Sequence, residues 1–217
     1  MIYWPTVSDL LKTTLLSLMQ SDVMQQFRLV GGTALSLQLG HRMSEDIDLF
    51  SDAPYGSIDY GAIEKYLAGT FTYLNGDFGS DPALGKSYLV GDDQDHVVKL
   101  DIYYSSEPFF DDLVEEEGLR IASVAEIAAM KVDVVQRGGR KKDFWDLHEL
   151  IERFSIAEMI ALHAQGFQWT HDEALIKQNF TNFAQADEDF DPICLRGKQW
   201  AFIKEDFEAL INKDDIA

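Results

Sequence analysis

The apolar pattern of this 217-residue chain changes period partway along, and that change limits the folds open to it. Up to about residue 122, short apolar runs and alternating stretches, the mark of strands, are interrupted by helical spacing. From Ser123 onward the spacing is helical almost to the end. Strands are expected over residues 27–30, 46–50, 71–74, 87–90, 97–103 and 119–122, with helices over 8–27, 33–39 and 58–68. The acidic run Gly91-Asp92-Asp93-Gln94-Asp95 turns one strand into the next, and residues 107–117, with six acids and no base, read as a solvated connection or short helix. Ser123 and Glu126 form a capping box for a helix over 123–136, Gly138-Gly139 breaks it, and further helices are expected over 141–154, 156–165, 172–187 and 198–211. The expected fold class is α+β, with a mixed β-sheet core flanked by helices over residues 1–118 and a C-terminal helical domain over 119–217.

The size allows a hydrophobic core without covalent staples, and an apolar fraction of 46% excludes wholesale disorder. A single cysteine, Cys194, rules out an intramolecular disulfide framework and a cysteine-rich zinc module. No run reaches the length of a membrane span, and the start lacks the basic and apolar regions of a leader, so the expected location is the cytoplasm with no membrane partner. Thirty-eight acidic against eighteen basic residues give a formal charge of −20, which disfavours loose adsorption to nucleic acid or anionic membrane. It does not exclude a nucleotide substrate, because carboxylates can hold Mg²⁺ that in turn binds phosphates.

Chemistry concentrates between residues 31 and 50. Gly31-Gly32 follows a strand, where missing side chains let backbone approach a ligand closely, and the N–H groups opening the next helix favour an anion such as a triphosphate. Asp46 and Asp48 are two apart on a strand and share a face, with Ile47 and Leu49 on the other. Carboxylates so placed repel unless a cation joins them. In Val97-Val98-Lys99-Leu100-Asp101-Ile102-Tyr103, Asp101 lies opposite the apolar face together with Lys99 and Tyr103. If the two strands are neighbours, three carboxylates could serve a two-metal site for phosphoryl transfer.

The stretch Gly31-Gly32-Thr33-Ala34-Leu35, followed by Gly40-His41-Arg42-Met43-Ser44-Glu45-Asp46-Ile47-Asp48-Leu49-Phe50, resembles the signature of the nucleotidyltransferase AbiEii/AbiGii toxin family, within the DNA polymerase β-like nucleotidyltransferase superfamily. Ala128-Ala129-Met130-Lys131 and Lys142-Asp143-Phe144-Trp145-Asp146-Leu147 look like the family's remaining motifs, so the resemblance covers roughly residues 25–155. It implies a nucleotidyltransferase-type sheet core, a cleft closed by the helical domain, and metal-dependent transfer of a nucleoside monophosphate from an NTP with release of pyrophosphate. Asp46, Asp48 and Asp101 are then the ligands of Mg²⁺ or Mn²⁺, with Asp101 helping to place or deprotonate the acceptor hydroxyl. Gly31, Gly32, Thr33, Arg42, Ser44 and Lys131 become the nucleotide-binding set. Relatives are toxins of toxin–antitoxin or phage-defence systems, some acting on tRNA 3′ ends, so the implied partners are an acceptor such as tRNA or a protein, and a cognate antitoxin.

Helical geometry gives the later motifs a physical reading of their own. Lys131 lies in the stripe of Ile127, Met130, Val134 and Val135, while Glu126, Asp133 and Gln136 take the opposite side. Asp143 falls in the buried arc of the next helix, with Asp146 at its edge. Buried Lys and Asp call for partners. Lys131 contacting phosphate with Asp143 orienting it is one solution, and a structural ion pair between helices is the other. Asp146 can equally be a surface acid, and His41 and Arg42 can be positive charge at a helix C-terminus. Arg137-Gly138-Gly139-Arg140-Lys141-Lys142 is either a solvated loop or a local phosphate contact for RNA. The acceptor therefore stays open among tRNA, a protein and a small molecule of the antibiotic type, and a catalytically idle binding module remains the third alternative.

Overall fold

The computed structural model describes residues 1–214, and its chain falls into two compact units. One comprises Met1–Leu39 and Ser44–Ala122; the other comprises Gly40–Met43 and the chain from Ser123 onward. The final three residues of the expected helical domain lie outside the described residues.

The first unit is built on a seven-stranded mixed sheet. In chain order its elements are α1 (Asp9–Gln20), β1 (Arg28–Val30), α2 (Gly31–Leu39), β2 (Asp46–Ser51), α3 (Tyr60–Thr70), β3 (Tyr73–Gly76), β4 (Gly85–Asp93), β5 (His96–Tyr104), β6 (Val114–Glu116) and β7 (Leu119–Ile121). The spatial order is β3-β4-β5-β2-β1-β7-β6, with β2 running antiparallel to β1 and parallel to β5. Ser8 caps α1 by accepting from Leu11 N at 3.1 Å, and Leu11, Leu15 and Leu18 bury that helix against the sheet. The helix stops at Gln20, short of the expected residue 27, because Ser21 turns to extended backbone and a 3-10 turn over Asp22–Met24 redirects the chain toward β1.

Residues 107–117 contain a strand that the acidic composition concealed. β6 pairs antiparallel with β7 across Glu117-Gly118, both with positive φ (50° and 81°), the backbone of a tight two-residue hairpin. The acids of β6 sit on a sheet edge, where charge deters pairing with another chain.

The second unit holds α4 (Val124–Gln136), α5 (Lys141–Leu150), α6 (Ile156–Gly166), α7 (Glu173–Phe180) and α8 (Trp200–Asp214). α4 packs against α5, α6 and α7. Its polar side is therefore buried as well: Asp133 and Gln136 are 6% and 5% exposed, with Gln136 bonded to Thr170 O and Asp172 N. The helix expected over 172–187 ends at Phe180, since Thr181 leaves helical backbone (φ −115°, ψ 7°), and Phe180 and Phe183 are both buried.

Candidate active site

The carboxylate face is set by strand register. Ile47 and Leu49 of β2, and Val98, Leu100 and Ile102 of β5, are at most 3% exposed, so the alternate residues are turned to the other face of the sheet. Parallel pairing puts Asp48 beside Asp101 and Asp46 beside Lys99. Directly opposed residues project on the same side, so three acids and one lysine share a single patch. The Lys99 ammonium is bonded to Asp101 Oδ2. Its partial burial opposes the charge, but Asp101, Asp46 and Asp48 together hold its pKa above the ordinary lysine value.

Gly31 makes room for this patch. Its φ of +70° suits glycine, and a Cβ there would come within 2.6 Å of Asp48 Oδ2. Thr33 donates to the carbonyl of Asp46 and lies 2.8 Å from the Ser44 hydroxyl, which locks α2 to the start of β2. Both hydroxyls are buried, Thr33 at 1% and Ser44 at 9% exposure.

A metal of the Mg²⁺ class wants ionised oxygens from a few carboxylates, with water and phosphate completing its shell. The patch fits that demand: Asp101 Oδ1 is buried without a hydrogen-bond partner, next to the β2 acids. Among the described residues, no group of three or more His, Cys, Asp or Glu side chains is placed so as to hold a metal ion.

A second cluster lies within the helical unit. Asp146, which the sequence left as an optional surface acid, is fully buried and accepts from His41 Nε2 at 2.8 Å and from Arg42 Nε and Nη2 at 2.6 and 2.8 Å. Lys131 Nζ stands 2.7 Å from Asp146 Oδ2 and 2.7 Å from Asp143 Oδ1. Asp143 Oδ2 in turn accepts from Arg140 N at 3.1 Å. Burial alone would neutralise these groups. Against it, Arg42 and Lys131 hold the Asp146 carboxyl well below the usual range, Lys131 lowers that of Asp143, and the two carboxylates raise that of Lys131.

Arg42 is placed from far along the chain. It forms an isolated antiparallel bridge with Cys194, flanked by Met43 N to Ile193 O and Leu195 N to His41 O, each 2.9 Å. Lys198 of the same returning segment reaches buried Glu149 of α5 at 2.8 Å. No pattern in the last sixty residues announced this role. For Asp146 a signal did exist, its spacing of one helical turn from Asp143. In the basic run 137–142, Lys141 is buried and pairs with Asp191 at 3.0 Å, while Arg137 pairs with Asp133 at 2.6 Å from a side chain that is 61% exposed.

Comparison with known proteins bears on the fold and on the family. The fold is shared with JHP933 from Helicobacter pylori (TM-score 0.61, 16% identity, covering 94% of this chain and 88% of that one). It is shared too with MenT4, a nucleotidyltransferase toxin from Mycobacterium tuberculosis (TM-score 0.57, 16% identity, 91% and 79%). In sequence, the uncharacterized protein aq_aa25 of Aquifex aeolicus is 26% identical over 165 residues, 74% of this chain and 69% of its own. Residues 13–216 match the family described as nucleotidyl transferase AbiEii toxin, type IV TA system, and the chain belongs to that family.

Proposed function

We propose that this protein is a divalent-cation-dependent nucleotidyltransferase that moves a nucleoside monophosphate from an NTP to an acceptor hydroxyl, releases pyrophosphate, and acts as the toxin of a toxin–antitoxin or defence pair. The observation that carries the reading is the β2–β5 register, which sets Asp48 beside Asp101 on the face next to the Gly31 turn. Asp46, Asp48 and Asp101 are the residues that would hold Mg²⁺ or Mn²⁺. Bound there, the ion would supply charge stabilisation to the phosphoryl oxygens. Gly31 and Gly32 offer backbone to phosphate, Thr33 and Ser44 fix the strand that carries the acids, and Asp101 takes part in placing the acceptor hydroxyl. Arg42 and Lys131 supply positive charge for the nucleotide, oriented by Asp146 and Asp143.

The burial of Lys141 against Asp191, with the charge of −20, supports a protein or small-molecule acceptor over a broad RNA-binding face. The test is incubation of purified protein with each α-labelled NTP and Mg²⁺ or Mn²⁺, in the presence of total cellular RNA, protein or a panel of small hydroxylated acceptors. Label is expected in one fraction and absent with Asp48→Asn. Folded wild-type protein that transfers label from no NTP to any fraction removes the enzyme reading and leaves the binding module.

A further inference from the structure

We propose that Lys99 is a built-in counter-cation of the carboxylate patch: its ammonium holds Asp101 when no metal is bound and must yield Asp101 when a divalent cation is taken up. Lys99 thereby sets how tightly the protein binds metal. The inference rests on Asp46, Asp48 and Asp101 being the ligand set.

Register makes the case. Asp46 is paired with Lys99 and Asp48 with Asp101, so the four side chains form a square of neighbouring positions on one face. With Lys99 its formal charge is −2; without it the same square carries three adjacent negative charges. Like charges on facing strand positions destabilise each other, and a resident ammonium relieves that in the metal-free protein. The Lys99 side chain is 47% exposed, against 16% for Asp101, so the ammonium can leave the carboxylate for solvent without opening the core. It is well suited to exchange. A lysine ammonium is a compact point charge on a flexible stem, able to swing to solvent without disturbing the β5 backbone. The oxygen it holds and the buried, unpartnered Asp101 Oδ1 belong to one carboxylate, so the lysine occupies the very group an incoming ion needs.

The test is Mn²⁺ binding to the full chain without nucleotide, followed by the electron paramagnetic resonance of free Mn²⁺, together with melting temperatures in the absence and presence of saturating Mn²⁺. Lys99→Met is expected to bind Mn²⁺ about tenfold more tightly, the effect of removing one unit charge a few ångström away in a partly solvated site. Lys99→Arg, which keeps the charge, stays near wild type. The metal-free melting temperature of Lys99→Met falls below that of wild type, and saturating Mn²⁺ closes the gap. If Lys99→Met is poorly folded, Lys99→Gln serves with the same readouts. Unchanged or weaker Mn²⁺ binding in the neutral variant overturns the inference while leaving the ligand set standing. A folded wild type that binds no Mn²⁺ overturns both.

Discussion

At the scale of single residues, the clearest chemical commitment is Asp146. One fully buried carboxylate meets Arg42, Lys131 and His41, and such a group is costly to leave without its partners. Asp146 and Asp143 have folded-state pKa values lowered from the ordinary range, so their contribution is complete above the unfolded value of about 4 and is lost as pH falls through the folded values. Lys131 is shifted upward, so its contribution is complete below an unfolded value of about 10.4 and is lost as pH rises through its folded value. Between those limits the cluster's contribution is expected to be flat. Urea denaturation at a series of pH values checks this: wild type should weaken steeply only on the acid side of about pH 4, while Asp146→Asn is less stable by about 3–5 kcal/mol at pH 7 and shows a shallower acid limb. Sequence spacing located Lys131 and Asp143 in buried positions. It could not rank Asp146, because which edge of a helical arc is covered depends on residues 41–43, a segment remote in sequence.

At the scale of elements, the sheet was legible where alternation was strict. Ile47 and Leu49 against Asp46 and Asp48 predict a strand with a polar face, and β2 has that face. β6 was not legible: an acidic edge strand has one covered face and few apolar residues, so its identity comes from the Glu117-Gly118 turn and from β7. The pairing of β2 with β5 also had to be seen, since parallel neighbours distant in sequence leave no mark on either strand's own pattern. Gly31 joins local backbone to that pairing. Gly31→Ala is expected to strain a positive-φ position and push against Asp48 Oδ2, 2.6 Å from the added methyl. A loss of about 1–3 kcal/mol in thermal or urea denaturation is expected, together with a loss of Mn²⁺ affinity measured separately. Unchanged affinity would show that Asp48 does not need the space that the glycine leaves.

For the whole molecule, acidity separates into a few acids that form the two clusters, others such as Glu126, Asp133 and Glu149 that are buried elsewhere, and many that are solvated. The charge of −20 acts as self-repulsion on any compact state, and salt screens it. Raising NaCl from about 20 mM to about 300 mM, across which the screening length shortens several-fold, is expected to increase the melting temperature by a few degrees. Scanning calorimetry reads this directly, and a fall with salt would mean that favourable ion pairs outweigh the repulsion. Among the described residues no helix is long and apolar enough to cross a membrane.

The bridge between Arg42 and Cys194 bears on how the protein is made. A chain synthesised at about 5–20 residues per second extends for roughly 8–30 s between these two residues. For nearly all of that interval the strand bearing Asp46 and Asp48 has already been made, while the segment that fixes Arg42 does not yet exist. A product that ends before Cys194 carries the carboxylate motif with its neighbouring arginine unanchored. The arrangement around Arg42 therefore waits for synthesis of the segment around Cys194, and a chain truncated before it cannot form that bridge.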